Sequence, residues 1–419
     1  MMKFAVAFCL LLATAAIGQS QEIKFGEEHV LLPNGPGRGI QATPAVAFGK
    51  SKFLVAWQEG WHGKGGAARI FAARISPDGD QLDPAGIEVA PAKTGVQTLP
   101  RVAAAGEVFL VVWQDFRNGR DYDVLGARVA EDGQVLDAQP LKIGAGPRNQ
   151  VLPDVSSDGE NFLVVWQGLQ DDETTYRGWA AGVSSRGEVG AATETKMTPQ
   201  PRVAWNGSHY LVASGGIGVF SGTVHAQRLN RDGQPVGKAE QALYGTKAAD
   251  FSISDAGSQG WLIVSHRSRP DPWGWGGPGA MRAAFVNSGG APTNEVKEPS
   301  GVNQRLPNWL DMGKEKREGA TWPFGTSASA FGGKHSLVVW QRHHLAGEKM
   351  TTFTNSDLIA ARVDGFRSLD PDGVPVAASA HDELSPALAG DGRGKFLLVY
   401  EQQREDGAAF VCLKVLSAN

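Results

Sequence analysis

The sequence predicts an all-β chain folded as a seven-bladed β-propeller of four-stranded antiparallel blades, the last blade closed by the N-terminal strand. Three observations carry this reading. A short apolar run recurs seven times, a Gly-centred turn follows most copies, and no segment past the N-terminal leader keeps a 3.6-residue period.

The run reads Phe53-Leu-Val-Ala-Trp57, Phe109-Leu-Val-Val-Trp113 and Phe162-Leu-Val-Val-Trp166, then Tyr210-Leu-Val-Ala-Ser214 and Trp261-Leu-Ile-Val-Ser265. Ser336-Leu-Val-Val-Trp340 and Phe396-Leu-Leu-Val-Tyr400 complete the series. The copies start 56, 53, 48, 51, 75 and 60 residues apart. Each run is taken as strand two of a unit. Strand one precedes it and follows a proline, as in Pro100-Arg-Val-Ala-Ala. Strand three follows it, as in Val124-Leu-Gly-Ala-Arg-Val129. Next come Asp78-Gly79, Asp132-Gly133, Arg186-Gly187, Asp232-Gly233, Gly289-Gly290 and Asp372-Gly373. Asp-Gly favours positive φ at both positions, which predicts two-residue hairpins into strand four. The long fifth interval predicts an insertion over about residues 294–322. The last unit ends after its third strand, Ala409 to Leu416, so a strand within Glu22 to Leu32 is expected to complete it. Length alone suggests two or three domains; closure predicts one, residues 19–419.

Composition narrows the function classes. The 419 residues carry net charge −4, which gives no basic footprint for nucleic acid. Two cysteines, Cys9 and Cys412, permit neither a disulfide framework nor a Cys-based zinc site. Lys3 followed by the 14 apolar residues Phe4 to Ile17 reads as a secretory signal over residues 1–18, too short to cross a bilayer. Its removal leaves net charge −5 and one thiol, Cys412. No later stretch approaches 18 apolar residues, so no membrane insertion is expected. The expected location is secreted or periplasmic, and the expected state is a monomer.

Loops from strand one to two and from three to four are short and alike. Those from strand two to three, and from blade to blade, are long and differ in every unit. Function lives on loops carried by a rigid scaffold, so the ligand site is expected on the second face. The residues singled out there are Trp61 and His62 in blade one, and Arg117 and Tyr122 in blade two. Blade five adds His266, Arg267, Trp273 and Trp275, the insertion Trp309, and blade six Arg342, His343 and His344. Trp273-Gly-Trp275 lies in a Gly-rich loop. Such tryptophans either stack on sugar rings or pack beneath the insertion. His343 and His344 are strand neighbours and point to opposite faces, which disfavours a shared metal. With no His-Glu-x-x-His, no metal and no cofactor is expected. At the start of strand one, Arg101, Asp154, Arg202 and Asp250 suggest charges alternating around the channel: an ion-pair ring, or a charged floor for an anionic or zwitterionic ligand. Arg74, Arg128, Arg228, Arg362 and Lys414 recur in strand three and read as architectural.

The unit Phe109-Leu-Val-Val-Trp-Gln-Asp-x-Arg-Asn-Gly119, continued by Gly126-Ala-Arg-Val-x-x-Asp-Gly-x-Val-Leu-Asp137, resembles a repeat family of secreted bacterial β-propellers. That resemblance implies the fold and leaves the activity open. The sialidase Asp-box is absent, and so is the Trp-Asp dipeptide of WD40 blades. Seven-bladed polysaccharide lyases are similar in architecture, but none of their residues can be matched one by one. Two readings follow. The first is a secreted, non-catalytic recognition module that binds carbohydrate or an extracellular protein through the variable-loop face. The alternative is a polysaccharide lyase or glycoside hydrolase acting there on an acidic polysaccharide. For a lyase, His62, His266, His343 and His344 are the candidate bases, and Arg117, Arg267 and Arg342 stabilise the enolate.

Overall fold

The computed structural model describes residues 23–32, 40–60, 67–91, 95–215, 223–244, 251–266, 281–292, 310–311, 321–322, 326–346, 352–365 and 367–418. They form seven antiparallel sheets and, among the described residues, no helix. Blade one comprises Gln41–Phe48, Phe53–Glu59, Arg69–Ile75 and Ile87–Glu88; blade two comprises Gln97–Ala105, Val108–Asp115, Asp123–Ala130 and Leu141–Gly144. The same order repeats through the chain. In blade seven, Asp382–Gly390, Lys395–Gln403 and Ala409–Ser417 are joined by the N-terminal strand Lys24–Val30. Val30 pairs with Cys412 and Phe25 with Leu416, and the Leu31 N–H donates to the Val411 carbonyl at 2.8 Å. The chain's two ends thus share one sheet, as the incomplete last unit predicts. The expected leader, residues 1–18, lies outside the described residues.

The period of two explains why strand two is apolar throughout. Phe53, Val55 and Trp57 pack on Leu397, Val399 and Val411 of blade seven, while Leu54 and Ala56 pack on Phe109, Val111 and Trp113 of blade two. In blade two, Leu110 and Val112 turn to blade three. One face meets the preceding blade and the other the following blade, so both must be apolar. Seven apolar clusters result, each lying between adjacent blades.

The turns between strands three and four differ from the expected type. In blade two, the Ala130 N–H donates to Gln134 O and the Gly133 N–H to Ala130 O, a three-residue connection repeated at Ser76, Ser184, Asn230 and Asn287. Only the glycine has positive φ, +95° at Gly133; Asp132 does not. A type I turn followed by a left-handed Gly needs one positive φ, where the two-residue form needs two. Gly133 also lies against the Arg74 side chain of blade one, and a Cβ there would come within 2.9 Å of Nε. Arg74 forks onto Asp83 (2.7 and 2.9 Å) and donates to the Glu131 carbonyl of the next blade; Arg128 does the same with Asp137 and the Ser185 carbonyl. The recurring arginines are therefore tethers between blades.

The stretch 294–322 is not wholly inserted. Leu310–Asp311 supplies the fourth strand of blade five through Arg282↔Asp311, and Thr321–Trp322 pairs with His343 and His344 of blade six. Such two-residue strands carry no periodic signal in sequence.

Candidate functional site

Strand one of each blade lines the central channel, and a repeated distortion shapes it. Its register shifts between Ala42 and Ala45, Thr98 and Arg101, Val151 and Asp154, and Leu384 and Ala387. The bulged residue precedes a proline and takes a left-handed φ: Thr43 (+50°), Leu99 (+54°), Leu152 (+54°), Gln200 (+53°) and Ser385 (+51°). Proline cannot donate to a ladder, so the strand opens there. Each such residue costs about 1–3 kcal/mol and persists only where its surroundings hold it. The holding group is the side chain after the strand-two aromatic of the preceding blade. Gln114 accepts the Leu152 N–H (3.2 Å), Gln167 accepts the Gln200 N–H (2.9 Å), and Glu401 accepts the Thr43 N–H (2.6 Å).

These first strands enclose a cavity of about 440 Å³. Its lining runs from the bulges two to three residues further along the first strands. Two rings define it. The first ring carries the bulged Ser385 and Thr43 in blades seven and one, with the unbulged Thr326 at the same place in blade six, and Leu99, Leu152 and Gln200 in blades two, three and four. Two residues on, the second ring carries Ala328, Ala387 and Ala45 on the first side and Arg101, Asp154 and Arg202 on the other. In blade five, Ser252 pairs with Val264 where Arg202 pairs with Ala213. Ser252, not Asp250, is therefore the second-ring residue of blade five, and the Arg-Asp alternation stops at Arg202. Asp250 lies outside the described residues.

The charged side is partly paired. Arg101 Nε stands 3.8 Å from Asp154 Oδ1, and Asp154 Oδ2 accepts the Val203 N–H at 2.9 Å. Arg202 Nη1 reaches the Pro201 carbonyl at 3.5 Å and has no carboxylate partner among the described residues. On the other side the Oγ1 atoms of Thr43 and Thr326 have no hydrogen-bond partner there. Ser252 joins Ser327 and Ser329 at 3.3 Å each.

A second polar group lies where blades six and seven meet. His344 Nε2 is 2.6 Å from Asp357 Oδ2, and Asn355 Nδ2 donates to Asp357 Oδ1 (3.4 Å) and to the Ser379 carbonyl (3.3 Å). The Ser379 hydroxyl donates to Glu383, which is fully buried. Burial pushes the Glu383 acid up to about 7, and the charges of Asp357 and Glu28 act in the same direction. Glu28 accepts from the Tyr400 hydroxyl and from Gln402 Nε2 (3.2 Å). Burial also raises the Glu401 acid above its ordinary range, against the pull of the Thr43 N–H and the Ser385 hydroxyl. Because Glu383 is sealed, His344 with Asp357 is the part of this group that reaches solvent.

Of the residues singled out in sequence, Arg117, Tyr122, Arg342 and His344 are described and do not line the cavity. Arg117 forks onto buried Asp115 (2.7 and 2.8 Å), and Tyr122 packs on Phe116 with ring centroids 5.0 Å apart. Both brace the blade-two loop. Arg342 pairs across the sheet with Asp357, and His343 pairs with Ser356. His266 ends strand two of blade five. Trp61, His62, Arg267, Trp273, Trp275 and Trp309 lie outside the described residues. Among the described residues no three His, Cys, Asp or Glu side chains gather as a metal site. Cys412 is buried and free, its thiol pushed up to about 12 by burial. Glu401 is among the blade-seven candidates that sequence offers, whereas Glu383 and the uncharged side of the channel were missed. Aligning the repeats with one another is the signal that finds them.

No protein-family model and no curated protein sequence matches the chain. Among solved structures it is similar to the Pyrococcus horikoshii acylaminoacyl peptidase, with TM-score 0.51 and 12% identity over 91% of this chain and 52% of that one. Trypanosoma rangeli sialidase follows with TM-score 0.50 and 8% identity over 90% and 55%. A Dyadobacter fermentans protein of unknown function is similar at TM-score 0.47 and 11% identity over 95% and 99%. The chain spans about half the length of the peptidase and of the sialidase, and at these identities the likeness is one of fold.

Proposed function

We propose that this protein is a recognition module: a rigid ring that holds a carbohydrate or an extracellular partner at the channel mouth on the face of long loops. The observation that carries this reading is the state of the carboxylates nearest the channel. Asp154 is engaged by a backbone N–H and by Arg101, and Glu401 pins the Thr43 N–H. Acids committed to holding the wall are poorly placed to move protons on a ligand, whereas the cavity itself is preformed and polar on both sides. The experiment is incubation of the protein with a panel of acidic and neutral polysaccharides, scored for gel retardation and for new reducing ends. Retardation without new ends is the expected result, and new ends would overturn it.

One observation favours a second reading, an enzyme acting on acidic polysaccharide. The His344–Asp357 pair has the geometry of an oriented base on the variable-loop face. A lyase would produce unsaturated uronide absorbance that disappears in His344→Ala.

A further inference from the structure

We infer that the channel takes a carboxylated saccharide, held with its carboxylate toward blades two to four and its uncharged part toward blades six, seven and one. This rests on the reading of the channel mouth as the recognition site and adds the ligand's class and orientation.

The argument is the asymmetry of the two rings. On one side Arg101 and Arg202 flank a single Asp154, so the wall carries one more cation than anion. Asp154 already has a backbone N–H and Arg101 Nε as partners, while Arg202 has no carboxylate among the described residues. A guanidinium fork matches a carboxylate with two parallel N–H donors, and in a partly enclosed cavity that pairing is stronger than in open water. A neutral ligand would leave the excess charge without an anion.

On the facing side the second ring carries no charge: its residues there are Ala328, Ala387 and Ala45. Alanine leaves room for the uncharged part of a ligand. Leu99 and Leu152 on the charged side supply apolar surface for the C–H face of a sugar ring. The cavity of about 440 Å³ falls in the range of small-ligand sites. The walls are also fixed before binding, because each of the bulges at Thr43, Leu152 and Gln200 is pinned by a side chain of the neighbouring blade. Little ordering is left to oppose association.

The test uses a matched pair of probes, trigalacturonate and the same trisaccharide with its carboxyls reduced to alcohols. Calorimetric titration of the full chain is expected to show the carboxylated probe binding about tenfold tighter, a preference that shrinks as salt is raised. Arg202→Gln should bring the two affinities within about twofold by weakening only the carboxylated probe. Arg202→Lys, which keeps the charge but loses the fork, should fall between them and serves if the glutamine variant does not fold. Equal affinities in the unaltered protein would overturn the ligand class and leave the recognition reading standing. A preference that survives both Arg202→Gln and Arg101→Gln would overturn the orientation. Binding of neither probe would overturn the ligand class, and retardation by another polysaccharide in the panel would show that the recognition reading survives without it.

Discussion

Blades one to three are joined to their neighbours by amides, whereas blade seven meets its neighbours through acids. Gln41, Gln97 and Gln150 open strand one of blades one to three, and Glu383 stands at that place in blade seven. Gln58, Gln114 and Gln167 follow the strand-two tryptophan, and Glu401 follows Tyr400. An amide donates and accepts at once. Gln97 takes the Ile70 N–H at 3.0 Å while giving to the Ala90 carbonyl at 2.9 Å, which stitches blade two to blade one with no charge. An ionised acid only accepts, and a buried one without a cation favours its neutral form. The repeat is thus an internal control: the same backbone places holding an amide in one region and an acid in another.

The largest effect should come from a buried acid that does have a cation. Asp115 is 1% exposed and accepts from Trp113 Nε1 (2.8 Å), the Arg117 N–H (2.9 Å) and both arms of the Arg117 fork. Asp115→Ala strands those donors, and a loss of about 3–5 kcal/mol is expected. A urea-unfolding midpoint close to that of the parent would break the contrast drawn here.

Glu383 should behave in the opposite sense. Its acid stands near 7 in the folded ring, against an ordinary value near 4.5, so the fold favours the protonated form. Stability from this group is therefore greatest at and below about pH 4.5, declines as pH rises, and is lost above about pH 7. The difference amounts to about 3 kcal/mol at pH 8. Glu383→Gln, which copies blades one to three, should raise the melting temperature at pH 8 and leave it almost unchanged at pH 4.5. A drop at pH 8 would mean that the ionised form is held by the fold.

A third difference separates the same regions. Arg74 and Arg128 fork onto Asp83 and Asp137, but Lys414 in blade seven reaches back to the Val376 carbonyl of blade six at 2.8 Å. There the fourth strand comes from the N-terminus, and it brings no partner aspartate. Arg128→Lys should cost about 1–2 kcal/mol, since one point charge cannot reproduce two parallel bonds and a third to Ser185. The same measurement on Lys414→Arg should show no gain.

The repeat made the architecture legible. Seven short apolar runs, the glycine turns and the unfinished last unit were enough to specify the ring and the strand that closes it. Finer features were read less well, for physical reasons. Blade five has no proline to mark strand one, and the residue chosen there in sequence, Asp250, is displaced from Ser252, which pairing selects. The turn type was misjudged because Asp-Gly suits both the two-residue hairpin and the three-residue form observed. Residues chosen for their chemistry, Arg117 and Tyr122, proved to brace their own loop. One side of the channel wall is built from Thr, Ser and Ala, residue types that attract no notice until the blades are laid over one another.

Glu401 gives the smallest and most selective expectation. Like Glu383 it is raised by burial and held down by two hydrogen bonds, but no neighbouring charge adds to the rise as Asp357 and Glu28 do at Glu383. Glu401→Gln keeps an oxygen for the Thr43 N–H, as Gln114 and Gln167 do for Leu152 and Gln200. A gain of about 1 kcal/mol or less at pH 8 is expected, fading as pH falls toward the ordinary carboxylate range. Glu401→Ala removes the acceptor, and Thr43 then has nothing to keep it at φ +50°. That variant should weaken saccharide binding at the channel while the glutamine variant leaves it within about twofold. If both variants weaken binding equally, the charge of Glu401 contributes to the ligand site; if neither does, the blade-one bulge holds its shape without the pin.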